Sequence, residues 1–200
     1  MSTMEGRRNI YIFRTNGMSV NDRQSIIDGL RKLHADVVDV RVAMAHLEVD
    51  IKGELDEAAL SFIGGDMIAR VPAELYASLY DDIFNRALCL IKEERFWESH
   101  EALEQIWKKS SGSRKDYLHF LILCSAAMVH YQRGRQEVSL GIIKRAVLIS
   151  PINTYEIDAK PLLDSCERSI TDNDPRRLYI SLMELGQKTC RNSGPPTGGP

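Results

Sequence analysis

The residues best suited to chemistry lie in one short segment of the chain, from Phe96 to Trp107. Its spacing His-Glu-x-x-Glu matches the start of the H-E-x-x-H helix that binds zinc in metalloproteases. Residues four apart on a helix face the same side, so His100 and Glu104 are a candidate pair of metal ligands. Glu101 projects toward the helix flank and is the candidate general base of a metal-dependent hydrolase.

A metal site needs a third protein ligand, and the next predicted helix carries two histidines. His119 and His130 share one stripe of that helix but lie about 16 Å apart, so only one of them can join His100. If the two helices form an antiparallel hairpin around the connector at 110–113, the residue opposite His100 lies near Cys124. That register falls between the two histidines and weakens the metal site. A divalent metal is the candidate cofactor of this alternative.

The same segment also fits a structural role. Four of its residues fall on one helical stripe: Phe96, His100, Leu103 and Trp107. This stripe directs His100 toward the core, where an imidazole needs a hydrogen-bond partner. Glu104, one turn away, or a neighbouring backbone group can provide it. A structural His100–Glu104 pair is our first interpretation, with metal or catalytic chemistry and ligand binding as the alternatives.

The composition is typical of a globular chain, with 44% hydrophobic and 27% charged residues. A net charge of −2 gives no general attraction to nucleic acid or anionic membranes. The longest apolar run, Tyr117–Tyr131, is shorter than the roughly 18 residues that span a bilayer. The polar start of the chain predicts no secretory signal. The cysteines lie far apart without a C-x-x-C pair, so we expect a reduced, cytoplasmic protein.

Residues 1–72 predict an α+β domain because short alternating apolar runs flank two stretches with helical spacing. The predicted elements are a strand at 9–14, a helix at 21–34, strands at 38–42 and 47–51, a helix at 54–62 and a strand at 66–71. Asn21 is the predicted N-cap of the first helix, and a hairpin turn is predicted at 43–45. The βαββαβ order predicts a ferredoxin-like antiparallel sheet with both helices on one face.

Residues 73–191 predict an all-α antiparallel bundle of about six helices, followed by a flexible tail at 192–200. The predicted helices are at 73–92, 95–109, 114–133, 136–149 and 158–170, and a last one is opened by Asp174-Pro175. Tyr76 and Tyr80 lie one turn apart on the first of these helices. They are a candidate interface, with core packing as an equal alternative.

The motif His100-Glu101-x-x-Glu104-x-x-Trp107, preceded by Phe96-Trp97, resembles the signature of the domain of unknown function family 309. The resemblance continues through the apolar helix at 117–131 and its Tyr131-Gln132-Arg133-Gly134 end, then through 140–147. It covers residues 80–150 approximately and implies a compact all-helical domain of bacterial or archaeal type. It also implies that His100, Glu101, Glu104 and Trp107 are the binding residues, without assigning an activity.

These patterns favour a cytoplasmic, non-enzymatic interaction or regulatory module. Its expected partner is a protein, a second copy of the chain or a small molecule, and not a membrane or nucleic acid. Basic residues flank the 110–113 connector, namely Lys108, Lys109, Arg114 and Lys115. A solvated cluster at the helix ends explains them better than RNA contact does. The alternative function is a metal-dependent hydrolase that uses His100, Glu101 and Glu104.

Overall fold

The computed structural model describes residues 8–15, 17–72, 83–149 and 158–190. The chain divides into two compact units. The first unit comprises residues 1–79 together with 129–136, and the second comprises 80–128 and 137–200. The predicted interface at Tyr76 and Tyr80 and the predicted tail at 192–200 lie outside the described residues.

A four-stranded antiparallel sheet forms the centre of the first unit. Its strands are β1 (Arg8–Arg14), β2 (Asp36–Val42), β3 (His46–Lys52) and β4 (Met67–Pro72), in the order β2-β3-β1-β4. All three strand pairs are antiparallel. The predicted hairpin between β2 and β3 is confirmed, because the Ala43 N–H donates to the carbonyl of His46 at 2.9 Å.

Two helices, α1 (Arg23–Lys32) and α2 (Glu57–Ile63), accompany this sheet. The prediction that Asn21 caps α1 is wrong, because a short 3₁₀ turn at Val20–Asp22 precedes the helix. Ser19 caps that turn: its hydroxyl accepts from the Asn21 N–H, and the Asp22 carboxylate accepts from the Ser19 N–H at 2.7 Å. Ser19 and Asp22 thus form a capping box, and the N-cap lies two residues before the predicted Asn21.

The core of the first unit lies on one face of the sheet. Alternate strand residues on that face, including Val40, Leu47 and Val49, are fully buried, as is Leu30 of α1. Alternation along β2 and β3 explains this pattern, because successive side chains point to opposite faces. The period-two prediction is right for Leu47, Val49 and Ile51 of β3, which are all buried. It is wrong at the start of β2, because the register shifts between Val37 and Asp39, so Val37 is buried and Val38 is exposed.

The second unit is helical. The structure describes six helices after residue 82: α3 (Ile83–Lys92), α4 (Phe96–Trp107), α5 (Gly112–Gln132), α6 (Gln136–Ile149), α7 (Lys160–Thr171) and α8 (Arg176–Thr189). The last residues of α5 belong to the first unit. Helix α3 packs against α4 and α8, and α7 packs against α8. None of the helices in the described ranges is long and apolar enough to cross a membrane.

The cysteines of the second unit form two close pairs. Cys89 of α3 and Cys190, the residue after α8, form a disulfide across a sequence separation of 101 residues. The expectation of a fully reduced chain is therefore wrong for this pair, since helix packing brings together thiols that sequence spacing separates. Cys124 and Cys166 are free, and their Sγ atoms lie 3.9 Å apart in the core.

Candidate functional site

Helix α4 begins immediately after the end of α3. Glu94 adopts a left-handed conformation with φ of 59°, and the Arg95 N–H donates back to the Leu90 carbonyl at 2.8 Å. The chain therefore reverses within three residues, as helix C-terminal motifs with a left-handed residue do. Phe96 and Leu103 are fully buried and fix the rotation of α4. His100 shares their side of the helix and faces α5.

His100 connects α4 to α5. Its Nδ1 lies 3.4 Å from the carbonyl oxygen of Ile122, and its Nε2 lies 3.4 Å from Oε1 of Glu104. A carbonyl only accepts, so Nδ1 is the donor in the first contact. The residue opposite His100 was predicted near Cys124 and is found two positions away. The side chain of His100 is 24% exposed, so the imidazole lies at the edge of the core.

Glu104 joins His100 to Lys108. The Lys108 ammonium lies 3.0 Å from Oε2 of Glu104, four residues away on the same helix. The hydrogen bond from Lys108 lowers the pKa of the Glu104 carboxyl below its ordinary value, and the charge of His100 lowers it further. Desolvation raises this pKa but is outweighed. Glu101 is exposed, as predicted for a residue on the helix flank. Glu104 is therefore an ionised link between two basic groups.

Trp107 ends α4 and contacts two side chains of α5. Its ring centroid lies 5.8 Å from that of His119, and the Lys115 Nζ lies 4.6 Å from the indole centroid. The latter distance allows a cation–π interaction. His119, one of the two candidate third ligands, thus packs on an indole. Within the described ranges, no group of three or more His, Cys, Asp and Glu side chains is arranged to hold a metal ion.

These contacts define an α4–α5 surface. It consists of His100, Glu104, Trp107, Lys108, Lys115 and His119. His100 and Lys108 contact the Glu104 carboxylate, and His119 and Lys115 contact the Trp107 indole. Such groups recognise anions and aromatic or acidic side chains through charge-assisted hydrogen bonds and ring contacts. The arrangement contains no hydroxyl or thiol nucleophile paired with a base.

Sequence reasoning missed a buried ionic cluster in the first unit. Asp39 is only 7% exposed and is held by three guanidinium groups. Arg23 Nη2 lies 2.9 Å from Oδ1, while Arg133 Nε and Arg41 Nη1 lie 2.9 and 3.3 Å from Oδ2. Burial raises the pKa of Asp39, but the charges of Arg41 and Arg133 outweigh it, and the pKa lies below its ordinary value.

The cluster continues along β3. Arg41 is 1% exposed, and its Nε donates to Oε2 of Glu48 at 2.5 Å. Glu48 also contacts the His46 ring, and Asp50 accepts from Arg8 Nε at 2.7 Å. Along the strands, these charged residues alternate with the core valines and leucines. Their side chains therefore point to the opposite face of the sheet. The predicted turn at 43–45 could have revealed part of this cluster, because it pairs Arg41 with Glu48 across β2 and β3.

The α4–α5 surface lies within a segment that matches a known family. Residues 84–142 match DUF309, a domain of unknown function. Over these residues the chain is similar to the DUF309 family. The resemblance predicted from the signature helix is confirmed over these residues. The DUF309 segment runs from α3 into α6 and includes all of α4, so it carries every residue of the α4–α5 surface. No curated protein and no solved structure matches the chain significantly.

Proposed function

We propose that the chain is a non-enzymatic interaction or regulatory module, whose DUF309 segment binds an acidic segment of a protein partner at the α4–α5 surface. The observation that carries this proposal is the half-buried indole of Trp107, with the Lys115 ammonium 4.6 Å from its centroid. A hydrophobic ring beside positive charge suits a peptide that combines carboxylates with an apolar side chain.

The charge balance of the surface supports an anionic partner. Glu104 is occupied by His100 and Lys108, so its negative charge is compensated within the surface. Lys109 is exposed, and Lys115 contributes a further positive charge. Residues 101–116 carry four Lys/Arg and three Asp/Glu, so the local excess is one positive charge, although the whole chain carries a formal charge of −2. Local complementarity of this kind affects partner choice and association rate more than intrinsic affinity.

The geometry of His100 favours this function over the hydrolase alternative. Both ring nitrogens of His100 face groups of the protein, namely the Ile122 carbonyl and the Glu104 carboxylate. A catalytic metal site has three protein ligands and an open position, and this pair supplies two. Glu101 is exposed on the flank, where a general base would need a metal or substrate beside it.

The remaining parts of the chain fit the same proposal. The element order βαββαβ and the strand order β2-β3-β1-β4 support a ferredoxin-like domain at residues 1–72. The six helices described after residue 82 support an antiparallel bundle at 73–191. The tail at 192–200 stays a prediction from the sequence alone. The protein is proposed to act in the cytoplasm. A second copy of the chain and a small molecule are the alternative partners.

Peptide titration tests the proposal. In a Trp97→Phe variant, Trp107 is the only tryptophan, so its fluorescence reports on the α4–α5 surface directly. The probe is an acidic peptide of glutamates and one phenylalanine, and we expect saturable change in the emission of Trp107. Lys115→Ala should weaken binding about tenfold, equivalent to about 1.4 kcal/mol. The matched control is Lys188→Ala, which removes an exposed lysine from α8.

Two results would contradict the proposal. One is unchanged Trp107 emission at millimolar peptide, and the other is equal weakening by Lys115→Ala and Lys188→Ala. Metal analysis of the untagged protein tests the alternative separately. Near-stoichiometric metal that is lost in both His100→Ala and Glu104→Ala would support the hydrolase instead.

A further inference from the structure

We propose that Cys89 and Cys190 form a reversible thiol-oxidation site, a clamp between α3 and α8 that dithiol reductants open while Cys124 and Cys166 stay protected as thiols. This inference goes beyond the proposed binding function and does not depend on it. It rests on the different surroundings of the two cysteine pairs.

The clamp joins two helices that already lie very close. A Cβ added to Gly186 of α8 would lie 2.7 Å from the backbone nitrogen of Lys92 in α3. No larger residue fits at this crossing without a shift of one helix. Cys190 follows the last residue of α8, and its N–H donates to the Gly186 carbonyl at 3.0 Å. The disulfide therefore fixes the C-terminal end of α8 against α3.

Exposure separates the two pairs. Cys89 and Cys190 are both partly exposed, so their disulfide lies at the edge of the unit rather than in its core. Cys124 and Cys166 are 0% exposed in the core between α5 and α7. Burial also raises the pKa of the Cys124 thiol well above its ordinary value. Exchange requires a thiolate and access to sulfur, so the outer pair reacts and the inner pair does not.

The chemistry balances with a dithiol as the reductant. One reductant thiolate attacks a sulfur of the Cys89–Cys190 bond, breaks that bond and forms a mixed disulfide. The second reductant thiolate displaces the protein sulfur and closes the disulfide of the reductant. The protein gains two electrons and two protons and ends with two thiols. A small-molecule disulfide reverses the reaction, receives the two electrons and leaves as two thiols.

Opening the clamp loosens α8 without removing its packing. Leu178 and Leu182 of α8 are 0% exposed, so the apolar face of the helix remains buried. The bond closes a loop that contains helices α4 to α8. Cross-links over long loops stabilise mainly by restricting the unfolded chain. Reduction is therefore expected to speed the opening of α8 while the unit stays folded.

Alkylation mapping with hydrogen exchange tests this inference. The full-length protein is treated with dithiothreitol under native conditions, labelled with iodoacetamide and mapped by peptide mass. We expect label on Cys89 and Cys190 only, and none on any cysteine before reduction. Amide exchange in α8 should then accelerate by about 30- to 1000-fold. Cys190→Ser should show the fast exchange without reductant, whereas Cys166→Ala should keep the dependence on dithiothreitol.

Each other result overturns the inference. Label on Cys89 before reduction would show that the outer pair is not bonded. Absence of label after reduction would show that the bond is not accessible. Simultaneous label on all four cysteines would show that reduction unfolds the unit. Unchanged α8 exchange after complete reduction would show that the bond does not act as a clamp.

Discussion

Replacing Asp39 with asparagine should destabilise the first unit strongly. The substitution keeps the size of the side chain and removes its charge. The carboxylate accepts from Arg23, Arg41 and Arg133, and its residue is only 7% exposed. Removing one partner of a buried ion pair costs about 3–5 kcal/mol, because the remaining charge stays buried without compensation.

The other contacts of these arginines set the size of the effect. Arg23 also donates to the Val40 carbonyl at 2.7 Å, and Arg41 also donates to Glu48 at 2.5 Å. Both guanidinium groups therefore keep one partner in the variant. Arg133 has a side chain that is 22% exposed and can turn toward water. We accordingly expect a loss near the lower limit, about 3 kcal/mol.

Hydrogen exchange is the suitable assay. Both tryptophans lie on α4, so fluorescence reports on the second unit and not on the sheet. Exchange of the β2 and β3 amides gives the free energy of opening of the sheet directly. Asp36→Asn is the matched control, because it makes the same change at an exposed position of the same strand. The control should change the free energy by no more than about 0.5 kcal/mol.

The pH dependence provides a second check. The pKa of Asp39 in the folded protein lies below its ordinary value, so its stabilising effect is complete above the unfolded pKa of about 4. The effect is lost as pH falls through the folded pKa. The difference between wild type and Asp39→Asn should therefore shrink below about pH 4. Equal losses for Asp39→Asn and Asp36→Asn at pH 7 would refute the reasoning.

Three further predictions concern the second unit and are measured by urea unfolding followed by tryptophan fluorescence. Gly186→Ala should lower the free energy of unfolding by about 1–3 kcal/mol, because the added Cβ would lie 2.7 Å from the backbone nitrogen of Lys92. An unchanged free energy would show that α3 and α8 can move apart without cost. Gly141→Ala in α6 should instead raise the free energy of unfolding by about 0.5–1 kcal/mol, since alanine favours the helix and nothing lies within 4 Å of the added Cβ. A lower free energy of unfolding would contradict this prediction. Glu104→Gln should cost about 0.5 kcal/mol at pH 7, and the cost should decrease as the pH falls below the unfolded pKa of about 4.3 and through the lowered folded pKa of Glu104. A cost that does not change as the carboxyl is protonated would contradict the contribution of charge from Lys108.

Local patterns were sufficient to predict the elements near the site. Alternation identified the β2–β3 hairpin, and helical spacing identified α4 with its buried Phe96. Even the pairing of α4 with α5 followed from the connector, since the expected partner of His100 was two residues from Ile122. Short connections restrict neighbouring helices to antiparallel packing, so register can be estimated by counting from the turn.

Contacts between distant parts of the chain could not be predicted this way. Cys89 and Cys190 are separated by 101 residues, and spacing carries no information about such a pair. Alternation places Asp39 and Arg41 on the face of the sheet away from the hydrophobic core, yet both are buried. Their burial depends on residues from elsewhere in the chain, such as Arg133. A single sequence does not show which of its charged residues are neutralised by distant partners.

Arg133 has a consequence for the modularity of this protein. It lies just after α5, yet it binds Asp39 within the first unit, and the neighbouring Gly134 lies near the Val20 carbonyl. A gene fragment that ends at residue 79 would encode the whole sheet but omit one of the three cations around Asp39. Residues 1–79 alone therefore do not make up the complete first unit. Recombination that exchanges the N-terminal part between homologous genes would have to exchange the end of α5 with it.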